Sequence, residues 1–111
     1  MLVKEVIDAL GLQVRSGEQQ LAREVSGGCA SDLLSYVMGN AHAGNLWVTI
    51  QVHPNIVGVA ALLDLAAVIV AGGQQPEGGT LEKAAEQNVV ILSAADAAFT
   101  VAGKLYRLGI R

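Results

Sequence analysis

Val3, Val6, Ile7 and Leu10 recur at helical spacing and Gly11 follows them, which predicts a helix over Val3–Leu10 with one apolar stripe facing a core. Leu12–Val14 and Leu21–Val25 alternate weakly on either side of the turn residues Arg15, Ser16 and Gly17, and predict two short strands. The run SGGCAS (26–31) predicts a turn leading into a helix over Asp32–Met38, with Ser31 placed to accept hydrogen bonds from its first amides.

Beyond Gly44 the pattern strengthens. Three apolar, β-branched runs, LWVTI (46–50), AVIVA (67–71) and VVILS (89–93), recur at intervals of 21 and 22 residues. Each is followed by a helical pattern, over Ile56–Leu65, Leu81–Gln87 and Ala97–Leu108. Asn55, Thr80 and either Ser93 or Asp96 are placed as caps, and Gly109 as the final stop. Strands that are apolar throughout and alternate with helices predict an α/β fold, a mainly parallel sheet with helices on both faces built from short βα units. The helix IVGVAALLDL is apolar nearly all round, so it needs cover on two sides; a homodimer contact is expected there.

At 111 residues this reads as a single domain over residues 1–111, long enough for a core but with room for one site at most. Apolar residues make up 52% and charged residues 15%, so part of the apolar surface is expected to meet another subunit or a protein partner. A net charge of -3, with seven Lys or Arg spread along the chain, leaves no basic footprint for a phosphate backbone, which argues against nucleic acid as a partner. The opening MLVKEVIDALGLQ mixes charges into its apolar residues, unlike a signal peptide, and Asp64 interrupts the longest apolar stretch, so the expectation is a cytoplasmic protein without a membrane span. The lone cysteine, Cys29, fits a reducing compartment and a structural thiol.

Ligands of open parallel sheets sit at the carboxyl ends of the strands, where loops run into helix N-termini. That rule selects three loops: Gln51 to Asn55, Gly72 to Gln74, and Ser93 to Asp96. The candidate ligand-binding residues are Gln51, His53, Asn55, Gly72, Gly73 and Ser93. Histidine is the side chain that titrates near neutrality, so His53 is a candidate proton carrier or ligand contact; equally, a histidine before Pro-Asn can cap a turn. No catalytic set and no metal site emerge, because Cys29, His42 and His53 lack ligand spacing and Ser93-x-x-Asp96 resembles a capping box. No cofactor is implied. Gly73 to Thr80 spells G-x-x-x-x-G-G-T, a phosphate loop with glycine in place of the lysine that reaches the phosphates, which is unsuited to phosphoryl transfer.

The order of features resembles the DRTGG domain family. GGCASDLLSYV (27–37), LWVTIQVHPNIVGVAALLDL (46–65), AVIVAGGQQPE (67–77) and LSAADAAFTVAGKLYRLGI (92–110) carry the resemblance over nearly the whole chain. Such domains occur fused to phosphotransacetylases and to CBS regulatory proteins, and are similar to the N-terminal domain of HPr kinase/phosphorylase. The resemblance implies an α/β fold, a dimer and a regulatory role without kinase activity. Val52-His53 stands where the family's Asp-Arg is expected and Ala71 replaces the threonine of Thr-Gly-Gly, leaving Gly72 and Gly73 as the match. The expected function is therefore a non-catalytic, dimeric regulatory domain sensing a small anionic metabolite or nucleotide. The alternatives are a protein-interaction subunit acting through its apolar surface, and a small enzyme using His53 as acid or base.

Overall fold

The computed structural model describes residues 1–111. Five strands, β1 (Gln13–Ser16), β2 (Gly27–Ala30), β3 (Asn45–Thr49), β4 (Ala67–Val70) and β5 (Ile91–Ser93), form one sheet in the order β1-β5-β4-β3-β2. β2 to β5 are parallel to their neighbours, and β1 closes the far edge antiparallel to β5. Five helices cover the sheet: α1 (Val3–Leu10), α2 (Leu34–Asn40), α3 (Asn55–Leu63), α4 (Gly78–Gln87) and α5 (Ala98–Arg107). The α/β fold with a mainly parallel sheet is the one expected from the pattern of the chain.

Alternation along the central strands sorts the core into two layers. Leu46, Val48, Ala67, Ile69, Val90 and Leu92 pack on one face with Val3 and Val6 of α1 and Val101 and Leu105 of α5. Trp47, Val68, Val70 and Ile91 pack on the other with Val37 of α2, Ile56, Val57 and Ala60 of α3 and Ala84 of α4. Each side chain fully withdrawn from water in these layers stabilises the fold by about 1.5–3 kcal/mol. The two-sided burial explains why β3 to β5 read as unbroken apolar runs.

Several expectations change. GGCA (27–30) is not a turn but the edge strand β2, paired with Asn45 to Val48. Gly27 is required there because a Cβ would stand 2.8 Å from the Arg111 carbonyl oxygen. Leu21–Val25 is not a strand; only Glu24 forms an isolated bridge, to Leu2, while Leu21 and Val25 pack against the core beside α1. The predicted caps also move. Asn55 begins α3, and its amide donates to Nδ1 of His53 at 3.1 Å, so the histidine side chain closes that turn. Thr80 lies inside α4, fully buried, and its hydroxyl donates to the Val52 carbonyl at 2.6 Å. α3 finds its second layer of cover within the chain, between α2 and α4. The observation that suggested a subunit contact is thus met internally, although Leu62 on its outer side remains 69% exposed.

Candidate functional site

The direction each helix takes decides where a crevice can open. The loops after β3 and β4 both lead to helices on the α2–α4 face, so they lie against each other: Val52 O accepts the Glu77 amide at 3.1 Å as well as the Thr80 hydroxyl. The loop after β4 leads to α4 and the loop after β5 leads to α5 on the opposite face. Adjacent loops that diverge to opposite faces create the ligand crevice of an open α/β sheet. Here that divergence occurs once, between Gly72–Glu77 and Ala94–Ala97.

A polar cavity of about 220 Å³ opens at this place, lined by Gly11, Gln13, Gly73, Gln75, Ser93, Ala94 and Ala95. Gly72 and Gly73 both adopt left-handed backbone, with φ of 72° and 69°, and their amides donate to Asp96 O at 2.7 Å and Ala94 O at 3.0 Å. These hydrogen bonds fasten the two loops together. The glycine amides are therefore spent within the protein, whereas the amides of Gln75 and Ala95, also on the cavity wall, donate to no protein acceptor.

The positive charge beside this cavity comes from Arg15. β1 carries a bulge: Val14 pairs with Leu92 and Ser16 with Ile91, leaving Arg15 as the extra residue. Bulges re-aim a side chain, and here the guanidinium reaches across β5. Its Nη1 donates to Gln75 Oε1 at 2.7 Å and Ser93 Oγ at 3.2 Å. Nε and Nη2 make no hydrogen bond, and no carboxylate pairs with Arg15; the two ion pairs of the chain are Arg23–Asp64 and Lys104–Asp96. A half-buried guanidinium with three unused donors has the chemistry to receive an anion.

Of the six candidate residues, Gly73 and Ser93 share this cavity. Gln51, His53 and Asn55 stand apart from it, at the end of β3. There Asp32 Oδ1 accepts from Thr49 Oγ1 at 2.8 Å and from the Ile50 amide at 2.9 Å, and Gln51 Nε2 donates to Asp32 O at 3.0 Å. Gln51 and Thr49 thus serve to clamp β3 to the loop after β2. His53 and Asn55 are exposed and bonded to each other. Arg15 and Gln75 were not selected from sequence: Arg15 sits in an apparent turn, and the bulge that aims it exists only once β1 pairs with β5.

At the opposite edge, an apolar cavity of about 200 Å³ lies between β2 and the end of α5, with Cys29 on its wall. Burial pushes the Cys29 thiol above its ordinary range. No three His, Cys, Asp or Glu side chains converge as a metal site. No helix is long and apolar enough to cross a membrane.

Fold and site together define a small α/β domain with a mixed five-stranded sheet and an open polar cavity at its strand ends. No family model and no curated protein matches the chain. Among solved structures, the CBS and DRTGG domains of the regulatory region of Clostridium perfringens pyrophosphatase, complexed with the activator diadenosine tetraphosphate, share the fold: TM-score 0.75 at 15% identity. The match covers 94% of this chain and 45% of that one. The likeness is one of fold, and it agrees with the DRTGG-like architecture that the order of sequence features implied.

Proposed function

We propose that the chain is a non-catalytic regulatory domain that senses a small anionic metabolite or nucleotide in the cavity between the β4 and β5 loops. The observation that carries this reading is the unpaired Arg15 guanidinium, held by Gln75 and Ser93 at the one place where adjacent loops diverge. An anionic group there takes the free Nε and Nη2 donors, with the unspent amides of Gln75 and Ala95 close by. The fold neighbour supports a nucleotide among the ligands, since its regulatory region is complexed with a dinucleotide activator. The sensing state couples naturally to the loops, because the ligand would touch both segments that the Gly72 and Gly73 hydrogen bonds fasten together.

Calorimetry with inorganic phosphate and nucleoside phosphates tests the reading. Binding that is lost in Arg15→Gln and kept in His53→Ala is expected; binding that survives Arg15→Gln, or no binding to the unaltered chain, overturns it. A second reading, association with itself or another protein, is favoured by Phe99 at 91% exposure, Leu62 at 69% and Leu33 at 64%. Light scattering on the isolated chain tests the homodimer: a mass of one chain at micromolar concentration excludes it.

A further inference from the structure

Arg15 connects two cavities: its Nη1 is bonded to Gln75 and Ser93 on the wall of the first, and the residue itself lines another. Beyond it, between the 3-10 turn Glu18–Gln20 and α4, lies a second cavity of about 300 Å³ lined by Arg15, Ser16, Gly17, Glu18, Gln19, Leu81, Ala85 and Asn88. The two cavities differ in chemistry. The first is lined by neutral groups, with Arg15 at its edge, and suits a compact anion. The second adds the Glu18 carboxylate, which has no hydrogen bond or ion pair in the chain, to the amide side chains of Gln19 and Asn88 and the apolar surface of Leu81 and Ala85. A carboxylate there repels phosphate and accepts from an amino group.

Resting on the proposed anion site, we infer that the ligand is elongate and spans both cavities: a nucleoside monophosphate whose base carries an exocyclic amine. The phosphate takes the Arg15 fork at the β4–β5 loops. The nucleoside lies against Leu81 and Ala85, and its amine donates to Glu18. Glu18 favours this orientation, because reversing the ligand would set phosphate deeper against its carboxylate, with Arg15 the one cation lining that cavity. Each cavity alone lies at or below the low end of the usual range for small-molecule sites, roughly 300–1,000 Å³, which is why the ligand is placed across both. Ser16 does not take part in recognition: its hydroxyl donates to Val89 O at 2.8 Å and accepts from the Ile91 amide at 3.2 Å, tying β1 to the start of β5.

The test compares inorganic phosphate, adenosine, AMP and IMP by calorimetry on the unaltered chain and on Glu18→Gln and Ala85→Phe, both substitutions at exposed positions. AMP is expected to bind at least about tenfold more tightly than phosphate or adenosine, and about tenfold more tightly than IMP, the discrimination of one hydrogen bond to a charged acceptor. Glu18→Gln should abolish the preference for AMP over IMP, and Ala85→Phe should weaken AMP while leaving phosphate unchanged. Phosphate binding that depends on Arg15, combined with AMP no tighter than phosphate or with an AMP preference indifferent to Glu18, overturns the two-cavity ligand and leaves the anion site standing. No binding of any of the four overturns both.

Discussion

Thr80 separates two accounts of the start of α4 by opposite signs. From sequence it stands as the helix cap, and at a cap aspartate is as good as or better than threonine, so Thr80→Asp would be neutral or stabilising. In the fold Thr80 is fully buried, and its hydroxyl donates to the Val52 carbonyl at 2.6 Å. Aspartate there sets a carboxylate against a carbonyl oxygen in a site closed to water, at a cost of about 3 kcal/mol or more. Two further substitutions divide the threonine's contribution. Thr80→Val removes only the hydrogen bond; Val52 O keeps the Glu77 amide at 3.1 Å, so no acceptor is stranded and the loss is about 1 kcal/mol. Thr80→Ser keeps the bond and removes one buried methyl, again about 1 kcal/mol. Urea unfolding followed by Trp47, the single tryptophan and fully buried, reads all three. With a slope of about 1.5 kcal/mol per molar urea, Thr80→Asp should move the midpoint down by about 2 M. A Thr80→Asp midpoint within about 0.3 M of the unaltered chain, equivalent to about 0.5 kcal/mol, would refute the burial argument.

Other positions yield sharper or gentler effects. Gly17 has φ 80°, and a Cβ there would stand 2.8 Å from Val90 Cα, so Gly17→Ala should cost about 2–4 kcal/mol, whereas Gly73→Ala, with φ 69° and open space, should cost about 1; equal melting temperatures would contradict this. The Arg23 hydrogen bond holds the Asp64 carboxyl below its ordinary range; desolvation opposes it, and the charge attraction of Arg23 adds a smaller lowering. A depressed carboxyl contributes stability above its unfolded pKa and loses it as pH falls through the folded one, so the pair should help at pH 6 and fade as pH falls below about 4. Arg23→Ala should accordingly lower stability at pH 6 and matter progressively less as the carboxyl protonates in acid, with an effect small for so exposed a pair; an equal loss at pH 6 and in strong acid would contradict the linkage. The raised Cys29 thiol should react with a disulfide reagent at pH 8 more slowly in the folded chain than in urea; equal rates would place it in open solvent.

The parts of this fold legible in sequence are those where one physical cause dominates. α1 occupies the predicted Val3–Leu10 because a single stripe of apolar residues and a left-handed Gly11, φ 66°, define both its face and its end. β3 and β4 fall within a residue of LWVTI and AVIVA because they are buried on both faces. β2 was illegible because its glycines answer to a distant neighbour rather than to a local turn: Gly27 makes room for the backbone of Arg111, which is far away in sequence. Leu21 and Val25 misled for the converse reason, since they are apolar without pairing and fill space beside α1.

The candidate site was half legible, and the missing half has one cause. The rule that ligands bind at strand ends selected Gly73 and Ser93, which share one cavity, together with Gln51, His53 and Asn55, which lie at another strand end. Whether adjacent strand ends open or close depends on which face each following helix covers. The polarity of α3 and α4 does not reveal that both lie on the same side, which closes their loops on each other through Val52 O. α5 crosses to the other face, and only there does the sheet part. Beside that opening stands a charge from β1, an antiparallel strand that ends up next to β5 with Arg15 displaced on a bulge. An arginine after the first strong strand, as the resembled family would place it, would lie at the β3 loop and outside this cavity. The histidine found at that place closes a turn, and the charge proposed to bind the anion comes from β1, the edge strand beside β5.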